Sequence, residues 1–417
     1  MTPDRAVTPD RPVIPTGLRP PYDGWHDDAL VAHLLTRLDV ALPEPSAATP
    51  EVLADAARVR EGRFLLIGEE YTPDPGARWQ ANPSADKEWQ IAQHKHYFLP
   101  ALLHAHLVTQ EPDYLQVWEE LLRSWLDEMG TGAIAVSDAQ VEALRLRSWV
   151  DAYLLLRRIN GWRPDGALVR RWVERMGAEA AYVLEHLKPV RNHRTFQLAS
   201  VFLVGVCLPE LAAGATLVER SRGELTTNLL TDLLPDGVQV ELSTHYHQLV
   251  TETAVAFVDL AQHNGVPLDP ALLDRVHAAL RWSLWLTWPD GRIPLIGDSD
   301  DGDHAALLLR GSALFDDPEL LWGATRGVEG RPPVPAGRHF ESSGYVVLRD
   351  GWGNDPDSYA RSTHVLYDAA RLGEGAHSHY DLFSFTLHAD GRPAVVDPGR
   401  YTYSAAPDAD GTDWRHA

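Results

Sequence analysis

The sequence predicts an α+β multidomain fold in which an N-terminal (α/α) toroid is followed by an antiparallel β-sandwich. Apolar residues recur at helical spacing from about residue 27 to residue 288. After Trp288 the segments become short and rich in β-branched and aromatic residues. A chain of 417 residues can also bury two sizeable cores. We expect a disordered lead-in at 1–24, the toroid at 25–330 and the sandwich at 335–417.

The helical part begins with an amphipathic segment whose apolar face carries Leu30, Leu34, Leu35 and Leu38. Thr49-Pro50-Glu51 then provides a capping residue, a proline and an acidic first turn, which together predict a helix start. Short breaks with Pro or Gly separate the later segments. These are predicted as helices at about 86–108, 112–128, 138–159, 165–187, 195–212, 215–233, 243–263 and 271–287. Paired helices of similar length are typical of a toroid or solenoid of helical hairpins.

The remainder is predicted to form a sheet, with strands at Gly344–Leu348, His364–Tyr367, Leu382–Leu387 and Ala394–Val396. Asp390-Gly391 between the last two strands is a strong signal for a hairpin turn. Few strands have formed when the sequence reaches Ala417. Between a small sheet and a fragment of a longer protein, we favour the fragment, so the sandwich is expected to be truncated.

Composition excludes several classes of function. A net charge of −22 argues against non-specific nucleic-acid binding. No apolar run is long enough to span a bilayer, and the N-terminus lacks the apolar region of a secretory signal. The expected location is therefore cytoplasmic, or periplasmic or secreted if an upstream signal is missing. The single cysteine, Cys207, lies in an apolar run and is predicted to be a small core residue.

A candidate metal corner lies at the predicted hairpin. His377 and His379 are two positions apart, so in an extended chain their side chains share a face. The hairpin should return Asp397 close to His379, and two histidines with one carboxylate can bind a metal ion. The alternative is that the histidines are polar loop residues and that Asp397 caps a turn.

Two predicted helix starts could carry chemistry. Arg191-Asn192-His193-Arg194 follows Lys188-Pro189, and backbone N–H groups at such a start attract anions. The segment Glu241 to His247 opens another helix, which Ser243 or Thr244 can cap, and Tyr246 there could act as a general acid or base. The alternatives are a simple capped helix start and an aromatic packing residue.

Polar side chains also interrupt two otherwise apolar helices. Trp89, Gln93 and His94 fall near one face of the first, and Arg145, Arg147 and Trp149 do so in the second. They could line a cleft for sugars and carboxylates, or form a solvated face.

Six motifs in this order resemble those of the heparinase II/III-like polysaccharide lyases, which include heparin-sulfate lyases and oligo-alginate lyases. The motifs are a Trp-bearing first helix pair, Asn-His-Arg-Thr-Phe, Glu-Leu-Ser-Thr-His-Tyr-His, Ile-Gly-Asp-Ser, Gly-Ala-His-Ser-His-Tyr-Asp and Val-Asp-Pro-Gly-Arg-Tyr-Thr-Tyr. The family fold, an (α/α) toroid followed by β-sandwich layers, agrees with the pattern of the sequence.

The resemblance implies roles for individual residues. Asn192 and His193 resemble the pair that neutralises a uronate carboxylate, Tyr246 the catalytic tyrosine and His377 a second catalytic histidine. His379 and Asp397 resemble ligands of a structural divalent metal, zinc, whose third ligand is expected beyond residue 417. Gln197 stands where the family has a glutamate, which bears on substrate choice. The residues expected to bind substrate are Gln93, His94, Arg147, Arg194, Glu241 and His245.

We therefore expect a lyase that cleaves an acidic, uronic-acid-containing polysaccharide or oligosaccharide by β-elimination, with no nucleic-acid or membrane partner. Whether the protein is a homo-oligomer stays open. Two rival functions are a non-catalytic carbohydrate-binding protein on the same fold and a glycoside hydrolase. The hydrolase requires two facing carboxylates, for which Glu241 and Asp298 are candidates.

Overall fold

The computed structural model describes residues 14–76, 78–129, 138–374 and 377–400. Residues 1–13 of the predicted lead-in and 401–417 of the predicted sandwich lie outside these ranges. The chain divides into two compact units. The first comprises Met1–Pro189 and Phe196–Leu225, and the second comprises Val190–Thr195 and Thr226–Ala417. The predicted boundaries at 25, 330 and 335 stay a prediction.

The described residues form helices for most of their length and strands mainly towards the end. The helices are α1 (Asp27–Thr36), α2 (Pro50–Arg60), α3 (Lys87–His94), α4 (Phe98–Thr109), α5 (Asp113–Glu128), α6 (Ala139–Leu156), α7 (Gly166–Glu185), α8 (Arg191–Cys207), α9 (Gly214–Asp232), α10 (Thr244–His263), α11 (Pro270–Leu286), α12 (Ala305–Phe315), α13 (Pro318–Ala324) and α14 (Pro356–Ala360). The strands are β1 (Phe64–Leu66), β2 (Glu69–Tyr71), β3 (Gly337–Phe340), β4 (Tyr345–Arg349), β5 (His364–Asp368), β6 (Phe385–Ala389) and β7 (Arg392–Val395).

In the first unit, α4 packs against α2, α5 and α6, and α7 packs against α1 and α6. Its core is rich in tryptophan, with Trp79, Trp89, Trp118, Trp125, Trp149 and Trp172 all buried. The predicted single helix at 86–108 is wrong, because the chain breaks between α3 and α4. His96 there takes a left-handed φ of 58° and accepts a hydrogen bond from Trp149 Nε1 at 3.0 Å, so its ring fills the core while the helix is interrupted.

In the second unit, α11 packs against α10, α12 and α13, and a five-stranded sheet contacts α11. Trp282 of α11 contacts Phe340 and Tyr345, with ring centroids 4.5 and 5.2 Å apart. Tyr345 Oη donates to the carbonyl of Leu242 at 2.9 Å, which fastens the sheet to the segment before α10. The sheet therefore buries one face against the elements that carry the candidate site.

The sheet has the order β3-β4-β5-β6-β7, and each strand pairs antiparallel with its neighbours in sequence. The predicted hairpin is confirmed, because Ala389 pairs with Arg392 around Asp390 and Gly391, whose φ values are 53° and 74°. β6 begins at Phe385, three residues later than predicted. The helix-rich chain with a following antiparallel sheet agrees with the predicted fold class, and β3 to β7 form one five-stranded sheet in the described part of the predicted sandwich.

Among the helices that the structure describes, none combines the length and apolar content needed to cross a membrane.

Four buried histidines make stability depend on pH. Burial lowers the pKa of His94 to about 4 and that of His247 to about 3, and holds the pKa values of His96 and His364 well below 6.5. The unfolded chain binds protons at these residues below about pH 6.5, whereas the folded protein does not. Their contribution to stability is therefore complete above pH 6.5 and is lost as the pH falls towards the folded-state values.

We predict that the free energy of unfolding falls between pH 7.5 and 5.5 by about 1 kcal/mol for each such histidine. Thermal or urea denaturation at several pH values measures the effect. His247→Gln should reduce this dependence, since it removes one of the groups. A melting temperature that does not change over this pH range would contradict the assignment.

Candidate functional site

Tyr246 lies in the first turn of α10, which begins as the sequence predicts. The Ser243 side chain caps the helix by accepting a hydrogen bond from the backbone N–H of Tyr246. Ser299 reinforces this start, because its Oγ lies 2.9 Å from Thr244 Oγ1 and accepts from the backbone N–H of His245 at 3.1 Å. The helix start and the loop after Ile296 are thereby held together.

The same loop holds His377 through its backbone. Asp298 N–H donates to the carbonyl of His377 at 2.7 Å. The preceding Gly297 has a φ of 67°, and a Cβ atom built there would lie 2.5 Å from that carbonyl oxygen. Only glycine allows both this backbone conformation and this close approach.

His377 is therefore brought onto Tyr246. The imidazole and phenol rings are stacked, with centroids 3.7 Å apart and planes inclined by 12°. The His245 ring meets Tyr246 edge-on at 5.5 Å. The predicted meeting of these two segments, 131 positions apart, is thus observed for Tyr246 and His377.

A buried carboxylate holds the imidazole of His377. Nδ1 of His377 is hydrogen-bonded to Oε2 of Glu241, and Glu241 is only 2% exposed. Gln239 Nε2 donates to the other carboxylate oxygen at 3.1 Å. Glu241 thus contacts His377 and Gln239, and it offers little surface to a substrate.

Ion pairs connect the start of α8 to the elements that hold His377. Arg191 has a left-handed φ of 74° and forms ion pairs with Asp232, at 3.2 Å, and with Glu374. The backbone N–H of Glu374 in turn donates to the carbonyl of Val240 at 2.9 Å. These contacts connect α8, the end of α9, the segment before α10 and the chain that leads to His377.

Asn192 presents a buried amide at this helix start. The residue is 4% exposed, and its Oδ1 accepts from the backbone N–H of His193 at 2.6 Å. Its Nδ2 has no hydrogen-bond partner among the residues that the structure describes. A buried donor in this state costs free energy unless a ligand supplies an acceptor. His193 is exposed and Arg194 is half-buried.

His379 and Asp397, the predicted metal ligands, lie near each other but do not complete a site. His379 Nε2 lies 3.1 Å from Asp298 Oδ1. Burial raises the pKa of Asp397, the neighbouring Asp381 carboxyl raises it further and His379 opposes the shift. Within the described ranges no three His, Cys, Asp or Glu side chains are arranged to share one ion. The described residues therefore do not fit a closed zinc site, and zinc stays a prediction.

The predicted substrate-binding residues lie in both units and differ in how deeply they are buried. In the first unit Gln93 and His94 are fully buried, and His94 binds the carbonyl of Trp79 through Nε2 and Trp125 Nε1 through Nδ1. The structure thus gives His94 a packing role, while Arg147 is exposed. In the second unit burial lowers the pKa of His245. Substrate contact by Gln93, His94, Arg147, Arg194, Glu241 and His245 stays a prediction.

Sequence reasoning missed three features of the assembly, namely Gln239, the Asp298–His379 contact and the Arg191–Glu374 ion pair. The position of Gln239, two residues before Glu241, was the only available signal for the first. The two carboxylates considered for a hydrolase are each bonded to a histidine, since Glu241 binds His377 and Asp298 binds His379.

Comparison with known proteins gives two family matches. The family model for the heparinase II/III N-terminus matches residues 46–315, and the model for the heparinase II/III-like C-terminal region matches residues 332–417. The heparin-sulfate lyase of Bacteroides thetaiotaomicron is 22% identical over 88% of this chain and 57% of its own length. That of Pedobacter heparinus is 23% identical over 91% of this chain and 60% of its own length. The chain thus spans less than two thirds of these relatives.

Solved structures share the fold. A crystal structure of heparinase III matches with a TM-score of 0.80 and 20% identity, covering 94% of this chain and 65% of that one. A crystal structure of heparan sulfate lyase from Pedobacter heparinus matches with a TM-score of 0.73 and 20% identity, covering 94% and 63%. The predicted fold class is therefore confirmed.

We predict that Gly297→Ala destabilises the protein more than Gly265→Ala does. Both glycines have positive φ, at 67° and 64°, so each substitution incurs a backbone cost of about 1–2 kcal/mol. The methyl group at 265 meets nothing within 4 Å, whereas that at 297 overlaps the His377 carbonyl. Urea denaturation measures the difference. Equal losses for the two variants would show that the approach of Gly297 to His377 is not close.

Proposed function

Because the chain belongs to the heparinase II/III-like family, we propose that it is a polysaccharide lyase that cleaves a uronic-acid-containing polysaccharide or oligosaccharide by β-elimination. The names of its relatives favour a glycosaminoglycan of the heparan sulfate type as the first substrate to test. The observation that carries the proposal is the stack of Tyr246 on His377. The buried amide of Asn192, whose Nδ2 has no partner among the described residues, gives further support.

The main electrostatic task of the reaction is to neutralise the substrate carboxylate. Removing the C5 proton places a second negative charge on the adjacent carboxylate, which makes that proton very weakly acidic. Donors aimed at the carboxylate oxygens stabilise this charge. The amide of Asn192, the His193 side chain and the positive end of α8 are suited to the task.

The proton transfers fall to Tyr246 and the histidines. A base takes the C5 proton, electrons form the C4–C5 double bond and the O4 leaving group receives a proton from an acid. Tyr246 could perform both transfers in a syn elimination. In an anti elimination His193 would be the base and Tyr246 the acid. His377, stacked on the phenol, would hold or polarise the substrate next to it.

The two rival functions have less support. Glu241 and Asp298 are each bonded to a histidine, so neither carboxylate is arranged for hydrolase chemistry. A purely carbohydrate-binding protein would not need a phenol stacked on an imidazole. An unsaturated product end distinguishes a lyase from a hydrolase, which yields a hydrated end.

We predict that Tyr246→Phe reduces turnover by roughly 10²–10⁴-fold while leaving sugar binding largely intact, because it removes only the hydroxyl that moves protons. Ultraviolet absorbance of the unsaturated product follows turnover, with heparan sulfate, hyaluronan and alginate as substrates, and calorimetry follows binding. Tyr182→Phe is the control, since that tyrosine stacks on His186 with centroids 4.0 Å apart in the first unit.

Full activity of Tyr246→Phe would remove the tyrosine from the mechanism. Failure of the unaltered protein to release an unsaturated product from any uronate polymer would overturn the lyase proposal itself.

We also predict that Asn192→Ala lowers kcat/KM by roughly 10²–10³-fold, because one donor to the developing charge is lost. Asn192→Asp should be worse, since its carboxylate would repel that of the substrate. Thermal denaturation should show that both variants remain folded, so that unfolding does not explain the loss of kcat/KM. Asn192→Asp with unchanged kcat/KM would exclude contact between this side chain and the substrate carboxylate.

A further inference from the structure

We propose that Glu241 is a positioning residue that holds His377 in the tautomer with the proton on Nδ1, and that Gln239 fixes the orientation of Glu241. The effect on catalysis rests on the proposed lyase function, but the tautomer of His377 can be measured without turnover. It gives Glu241 a role that does not require contact with the substrate.

The chemistry of the two groups determines the tautomer. A carboxylate can only accept hydrogen bonds, whereas a neutral imidazole has one donor nitrogen and one acceptor nitrogen. Since Nδ1 of His377 is bonded to Glu241 Oε2, Nδ1 carries the proton and Nε2 is the acceptor. Glu241 is nearly fully buried, so water competes little for this bond.

Gln239 sets the orientation of the carboxylate through a backbone contact. The backbone N–H of Glu241 can only donate, and it donates to Gln239 Oε1 at 2.9 Å. The amide oxygen of Gln239 is thereby identified, and its NH₂ group must face Glu241 Oε1, 3.1 Å away. Gln239 is fully buried, and its backbone pairs with Leu233 in an antiparallel bridge. Glu241 thus has one oxygen for Gln239 and the other for His377.

His377 is consequently held at its carbonyl by Asp298 N–H, at Nδ1 by Glu241 and on its ring face by Tyr246. In this state Nε2 can accept a hydrogen bond from a sugar hydroxyl but cannot donate one. Arrangements of this kind, in which a carboxylate orients a histidine, are sensitive to replacement of the carboxylate by an amide.

The test uses two variants, one that replaces the carboxylate by an amide and one that exchanges the carboxylate and the amide between positions 241 and 239. In Glu241→Gln, Gln239 still donates to the oxygen on its side, so the new NH₂ group faces His377 and donates to Nδ1. The imidazole must then carry its proton on Nε2. The double variant Gln239→Glu with Glu241→Gln reverses this, because the carboxylate introduced at position 239 accepts from the NH₂ group introduced at position 241. The amide oxygen at position 241 then faces His377 and accepts from Nδ1 again.

Nitrogen NMR of ¹⁵N-histidine-labelled protein reads the tautomer, with His377→Gln used to assign the signals. We expect the proton on Nδ1 in the unaltered protein, on Nε2 in Glu241→Gln and on Nδ1 in the double variant. Turnover on the uronate substrate should fall by roughly 10²–10⁴-fold in Glu241→Gln with KM little changed. The turnover of the double variant should be at least tenfold higher than that of Glu241→Gln.

Each outcome decides the question. A proton on Nε2 in the unaltered protein overturns the proposal, even if Glu241→Gln fails to fold. The expected tautomers with unchanged turnover in Glu241→Gln would overturn the positioning role while leaving the lyase function intact. A double variant no more active than Glu241→Gln would do the same. An unaltered protein that is inactive on every uronate polymer, but has the expected tautomers, would overturn only the proposed function.

Discussion

The candidate site depends on one backbone contact, the approach of the Gly297-Asp298 turn to the carbonyl of His377. The turn follows α11, and its other contacts define the start of α10, so it joins the helix that carries Tyr246 to the chain that carries His377. The stack of the two rings and the bond to Glu241 both require His377 to be held in this position. A side chain at 297 would occupy the space that the carbonyl needs.

In the second unit, charged side chains around the candidate site form ion pairs rather than a surface of one charge sign. Arg191 lies between Asp232 and Glu374, Nη2 of Arg400 contacts both carboxylate oxygens of Asp300, and Glu241 is bonded to His377. In a chain with a net charge of −22, the acidic polymer that we propose as substrate would approach against an unfavourable overall field. Neutral donors such as the Asn192 amide can bind a carboxylate without requiring a large positive surface.

Local signals in the sequence predicted much of this arrangement. The Ser243 cap fixed where α10 begins and hence where Tyr246 lies, and Asp390-Gly391 fixed the hairpin. Contacts between distant segments left no such signal. The carboxylate that holds His377 is 136 positions away, and nothing in the sequence around Glu241 distinguishes a residue that orients a histidine from one that binds a sugar. The face that carries Gln93 and His94 was expected either to line a cleft or to form a solvated face. The structure does not expose either residue to solvent, because both are fully buried in a core rich in tryptophan.

Several contacts that assemble the site are made by main-chain atoms, including Asp298 N–H to the carbonyl of His377 and Glu374 N–H to the carbonyl of Val240. Every amino acid except proline can supply such a donor, and every amino acid can supply the acceptor. Such a contact does not itself depend on which side chain its residues carry, so the backbone geometry can persist while side chains without another role change during evolution. This offers a physical reason why a fold can remain recognisable when only about one residue in five is shared with its relatives.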